Sequence, residues 1–191
     1  STTLAKRDNP SRFFITLFLS HIWENETQKD HLVQIYGTIY DVVTQGTNLN
    51  LTYRGDDMTI LVLGATGNTG SEVVRQLKEK QADFRVMVRN AESAACLGLS
   101  NDQIRLGNFD DLDSLKAAMS GISSVYLAMV AHQNNQQWVE NVVTAMKASG
   151  VKHLVKLSGM GAKKDAGSLI IRTHAITDEL VKGSGLSYTL I

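Results

Sequence analysis

The chain has 191 residues, 43% of them hydrophobic and 20% charged, with 19 basic and 19 acidic side chains. That balance gives no overall field to hold nucleic acid or an anionic membrane surface, and the hydrophobic content excludes a mostly disordered chain. The single cysteine, Cys96, excludes a disulfide framework, and five scattered histidines lack ligand spacing, so no metal site is expected. This composition points to a reducing compartment such as the cytoplasm.

The character of the chain changes near Met58. Residues 13–23 (FFITLFLSHIW) are an apolar run, too short for a bilayer span of about 20 residues and without a small-residue cleavage site behind it. It reads as a buried strand or short helix. From Glu26 to Val43, Leu32, Ile35, Tyr36, Ile39, Tyr40 and Val43 recur every three to four positions, the pattern of an amphipathic helix. Residues 44–57 are polar, contain Gly46 and Gly55, and read as a linker. The expectation is a mostly helical appendage over 1–57, of unknown role, joined to a domain over 58–191.

From Met58 onward one unit repeats. Strands are predicted over 59–63, 84–88, 103–106, 124–129, 153–158 and 187–191. Helices are predicted over 71–80, 111–120, 136–149 and 170–182, with an Asp cap opening the second and glycines ending the last three. In the third, Trp138, Val142, Ala145 and Met146 are expected to point inward. Alternating apolar strands and amphipathic helices imply an α/β, Rossmann-type, doubly wound parallel sheet with helices on both faces. A ligand then lies beyond the carboxyl ends of the strands, where the strand order reverses.

The strongest motif stands at that point. Gly64-Ala-Thr-Gly67-Asn-Thr-Gly70 follows the first strand and opens the first helix. Gly64 lets the chain turn out of the strand, Gly67 lets pyrophosphate approach the backbone, and Gly70 lets the helix pack close. The loop residues Gly64, Thr66, Gly67, Asn68, Thr69 and Gly70 are therefore candidate cofactor contacts, together with Ala128 at the end of the fourth strand. The second strand ends at Arg89, where an NAD site carries an acid for the ribose hydroxyls. A cation suits a 2′-phosphate instead, so NADP(H) is expected rather than NAD(H). Two roles are open to Asp110: capping the next helix or approaching the adenine.

The pieces ILVLGATGNTG, VMVRN, GNFDDLDSL, GVKHLVKLSG and GLSYTLI resemble, as a set, the NmrA-like group of atypical short-chain dehydrogenases/reductases, and are most similar to its NAD(P)H-dependent quinone oxidoreductase branch. The resemblance covers residues 58–191. It implies NADP(H) bound by Gly64, Gly67, Gly70 and Arg89, and reduction of a quinone or related carbonyl. In regulatory members it implies cofactor sensing without turnover. Members continue past the sixth strand into a substrate-binding region, so a chain ending at Ile191 reads as C-terminally truncated.

Typical short-chain dehydrogenases follow a serine with Tyr-x-x-x-Lys, whose tyrosine donates the proton. Ser158 occupies the serine's place, but the next helix carries His174-Ala-Ile-Thr-Asp178. One turn apart, His174 and Asp178 share a face, so Asp178 orienting His174 as a proton donor stands beside a plain surface pair. Ser158 and His174 are the catalytic candidates. Lys163 and Lys164 face either phosphate or solvent. Three readings follow: an NADPH-dependent reductase with a small-molecule, quinone-type substrate; a regulator that senses NADP(H); and a chain that binds cofactor weakly or not at all. No nucleic-acid or membrane partner is expected, and a homo-oligomer is compatible with the sequence.

Overall fold

The computed structural model describes residues 59–191, and the appendage, helix and linker expected over 1–57 lie outside the described residues. Six strands alternate with four α-helices: β1 (Ile60–Leu63), α1 (Asn68–Glu79), β2 (Phe84–Val88), β3 (Ile104–Leu106), α2 (Leu112–Ala118), β4 (Ser124–Leu127), α3 (Asn135–Ser149), β5 (His153–Lys156), α4 (Leu169–Lys182) and β6 (Ser187–Leu190). All strand pairs are parallel, in the order β3-β2-β1-β4-β5-β6. The chain winds outward from β1 to β3, returns to place β4 against β1, and winds outward again to β6. The order therefore reverses between β1 and β4, as the alternation of elements implies.

Strand pleating sends alternate residues into two cores. Leu61, Leu63, Val125, Leu127 and Leu154 pack against Leu115 and Met119, the α3 residues Val139, Val142 and Met146, and Val181 of α4. On the opposite face Val62, Val86, Val88 and Tyr126 meet Val74 and Leu77 of α1, with Ala94 and Leu97. Helices thus cover both faces. Each fully buried aliphatic side chain contributes about 1.5–3 kcal/mol by leaving water. No described helix is long and apolar enough to cross a membrane.

Several element ends shift by one or two residues, the fourth and fifth strands stopping at Leu127 and Lys156, and three larger details differ from the sequence reading. The first helix begins at Asn68, not Ser71, because Gly67 takes an extended conformation as its N-cap and the following residues are already helical. A 3-10 segment over Ala91–Leu97, absent from the expectation, is capped by the Asn90 side chain accepting from the Ser93 N–H at 2.9 Å. Trp138 does not point into the core; Val139 does. The indole lies half-buried between the rings of His132 and Phe109, with centroids 4.4 and 5.5 Å away.

Candidate functional site

The glycine loop closes on itself and on β4. Gly64 has φ +84°, and a Cβ there would stand 1.9 Å from the Ala128 carbonyl oxygen. Ala128 in turn donates its N–H to Leu63 O at 3.0 Å, so the ends of β1 and β4 are in backbone contact. A Cβ on Gly70 would stand 2.1 Å from the Gly64 carbonyl oxygen, which fixes how closely α1 approaches the strand. Gly67 differs: its added Cβ would meet only Gly64 O, at 3.4 Å, and otherwise point into open space. The Gly67 N–H is bonded to Gly64 O at 3.1 Å, and Gly67 O receives the Ser71 N–H at 2.8 Å. No side chain caps α1 and its first turn holds no acid. A twelve-residue helix therefore directs first-turn N–H groups and the positive end of its dipole at the loop. Thr66 and Asn68 are exposed beside it and Thr69 is half-exposed. A pyrophosphate fits this cradle: the backbone offers donors where no side chain blocks approach.

Arg89 leaves the end of β2 exposed, and among the described residues its side chain has no hydrogen-bond or ion-pair partner. It borders an open cleft of about 300 Å³ with Leu106, Gly107, Asn108, Asp111 and Ser114. Asp111 is the acid in this cleft, but its Oδ1 caps α2, accepting from the Asp113 and Ser114 N–H groups at 3.0 and 3.1 Å. Of the two roles open to Asp110, capping is thereby taken by its neighbour. Asp110 instead accepts the Trp138 indole N–H at 2.7 Å, tying the loop after β3 to α3.

The other half of the site lies past β4 and β5. Lys156, the last residue of β5, is 2% exposed and its Nζ donates to Asp178 Oδ1 at 2.8 Å; Asp178 is 6% exposed. The other carboxylate oxygen, Oδ2, accepts a short hydrogen bond from the Ser158 hydroxyl. The expected His174–Asp178 pair does not form: among the described residues Asp178 is held by Lys156 and Ser158, and it is buried rather than a surface group. His174 packs its ring on Gly159, where an added Cβ would stand 2.9 Å from Cδ2. Burial first, and the Lys156 charge second, hold its imidazole below the ordinary value, against a smaller opposing pull from Asp178. With Lys156, Asn135 and Thr177 it lines a cavity of about 10 Å³, into which roughly one water fits. Sequence reasoning missed Lys156, although its spacing of two from Leu154 puts it on the core face and signals a buried charge.

Val130 and Met160, each 76% exposed, stand on the loops leaving β4 and β5, and Leu169 and Ile170 open α4 exposed. This end of the sheet therefore presents apolar surface. Lys163 and Lys164 are exposed in the loop after Ser158. Among the described residues no group of three or more His, Cys, Asp or Glu side chains is placed to hold a metal ion.

A family model described as NAD(P)H-binding matches residues 64–191, which is this sheet from the glycine loop onward. The chain is 35% identical to an NAD(P)H azoreductase of Xenophilus azovorans over 132 residues, covering 69% of this chain and 46% of that protein. Among solved structures it is similar to the NADPH-dependent quinone oxidoreductase of Escherichia coli in complex with NADPH, at 27% identity and a TM-score of 0.63, over 69% of this chain and 47% of that one. It is likewise similar to the triphenylmethane reductase of a Citrobacter species, at 28% identity and a TM-score of 0.61, over 70% and 48%. The chain spans about half the length of the curated relatives it matches.

Proposed function

Because the chain belongs to the NAD(P)H-binding family, we propose that it is the nucleotide-binding part of an NADPH-dependent reductase of the NmrA-like kind, acting on a quinone or related conjugated acceptor. The observation that carries this reading is the pairing of the Gly64–Gly70 cradle with a free guanidinium at the end of β2. The cradle takes the pyrophosphate, and Arg89 meets a 2′-phosphate with a forked, charge-assisted contact. The nicotinamide, when bound, supplies the hydride. The residues past β4 and β5 then orient the ring and exclude water. Val130, Met160, Leu169 and Ile170 give a flat aromatic acceptor an apolar surface. The azo-, quinone- and dye-reducing proteins that the chain resembles agree with that acceptor class.

In this reading the nucleotide-binding unit begins at Met58. The single cysteine and neutral charge favour the cytoplasm. A second reading, a regulator that binds NADP(H) without turnover, is favoured by one observation: Asp178, the acid on the helix where a proton donor would stand, is engaged with Lys156 and Ser158.

Titration calorimetry with NADPH and NADH, followed by NADPH oxidation against a panel of quinones and azo dyes, tests the proposal. Preferential NADPH binding with oxidation by at least one acceptor supports the reductase. Binding without turnover moves the reading to the regulator, and no binding overturns both.

A further inference from the structure

We propose that Ser158 is a fixed hydrogen-bond acceptor for the carboxamide N–H of the bound nicotinamide, and that the buried Lys156–Asp178 pair is the device that makes it one. This rests on the NADP(H) reading above.

The argument begins with hydrogen inventory. A serine hydroxyl has one hydrogen and two lone pairs. A carboxylate paired to an ammonium group has only acceptors. The hydrogen between Ser158 Oγ and Asp178 Oδ2 therefore comes from the serine. Asp178 cannot turn away, because its other oxygen receives Lys156 Nζ at 2.8 Å and the pair is walled in between β5 and α4. The Ser158 backbone is fixed as well: its N–H donates to Ile191 O at 2.6 Å, just past β6. Ser158 is a half-exposed residue, and with its hydrogen committed inward its hydroxyl oxygen has only lone pairs left to offer. Ser158, a catalytic candidate from its place in the sequence, is then not a hydrogen-bond donor to a ligand. It accepts.

Position selects what it accepts from. In a doubly wound sheet the two mononucleotide halves divide the dinucleotide. The loop after β1 and Arg89 after β2 take the adenosine half, so the nicotinamide half belongs past β4 and β5, where Ser158 is the second residue beyond β5. The carboxamide is the nicotinamide's own N–H donor. Ser158 is in this sense a binding residue, and Asp178 and Lys156 are positioning residues that act through it.

The test compares three probes by titration calorimetry: NADP⁺, its 3-acetylpyridine analogue, in which a methyl ketone replaces the carboxamide, and 2′-phospho-ADP-ribose, which has no nicotinamide. Ser158→Ala is expected to weaken NADP⁺ about three- to tenfold, the worth of one neutral hydrogen bond. The other two probes keep their parent affinity. Asp178→Asn is expected to do the same: with its carbonyl oxygen on Lys156, its amide N–H faces Oγ and turns the serine hydrogen outward. Far-UV and near-UV circular dichroism of each variant confirms the native fold, and Ser158→Ala carries the test if Asp178→Asn does not fold. Equal loss for all three probes, or no loss for NADP⁺, overturns the inference and leaves the cofactor reading standing. Failure of the parent to bind any of the three overturns the cofactor reading itself, and this inference with it.

Discussion

Removing one partner of the Lys156–Asp178 pair should be the most damaging conservative change in the sheet. The two residues are 2% and 6% exposed, so neither charge is screened by water. In Lys156→Met the Asp178 carboxylate keeps only the Ser158 hydroxyl. In Asp178→Leu the Lys156 ammonium keeps only the Leu157 carbonyl at 3.4 Å, a long contact. Stranding a buried charge in this way costs about 3–5 kcal/mol. Domains have about 5–15 kcal/mol in all, so either single variant should lose about a fifth or more of the stability. The double variant, with neither charge, should lose much less than the sum, since a buried pair replaced by apolar groups of similar volume is often close to neutral. Urea unfolding of the four proteins gives the double-mutant cycle. A cost below about 1 kcal/mol for either single variant, or strict additivity in the double, would refute the claim that the charges are buried and coupled.

The glycines should separate stability from binding. Gly64→Ala and Gly70→Ala drive a Cβ into backbone oxygens 1.9 and 2.1 Å away and should each destabilise by at least about 2 kcal/mol in urea. Gly67→Ala has room in the protein but not beside a pyrophosphate, so it should change stability by less than about 1 kcal/mol while weakening NADP⁺ tenfold or more; unchanged affinity would remove the cradle from the site. Arg89→Ala should erase most of an NADP(H) preference of about 10- to 100-fold, the worth of a charge-assisted bond of about 1.5–3 kcal/mol, and leave NAD(H) affinity unchanged. A preference that survives belongs to another cation. Stability should also fall on mild acidification. His153, with Ser187 and Thr189 hydroxyls 2.9 and 3.0 Å from its ring nitrogens, and His174 are both held below the ordinary value of 6.5, chiefly by burial. The unfolded chain then takes up protons first, so stability present above pH 6.5 is lost as pH falls toward the lowered folded values. Thermal midpoints should drop between pH 7.5 and about 5.5 and drop less in His153→Gln; a flat or rising profile would contradict this.

What the sequence disclosed followed from how repetitive each signal was. Strands such as LVL and VMV are apolar on both faces, as a sheet covered on both sides requires, and the helices between them show period 3.6. Six strands and four helices were therefore legible, and right-handed crossovers fixed their order. The glycine loop was legible for a different reason: two of its three glycines stand where a Cβ meets a backbone oxygen, so no other residue substitutes. The polar interior was not legible from one helix alone. His174 and Asp178 are one turn apart, and helical spacing makes them neighbours, yet the hydrogen bonds of Asp178 run to Lys156 at the end of β5 and to Ser158 just beyond it. Spacing along a helix states which residues share a face; it does not state what the face meets. The decisive term was a lysine in an apolar strand. Lys156 lies in pleat register with Leu154, so its charge must enter the core, and a buried ammonium needs an acid within reach. Asp178 is the acid that α4 turns toward it. Once that pair forms, the histidine loses its orienting partner and the serine loses its free hydrogen. The catalytic roles suggested by the HAITD motif thus change through a single residue two positions before Ser158.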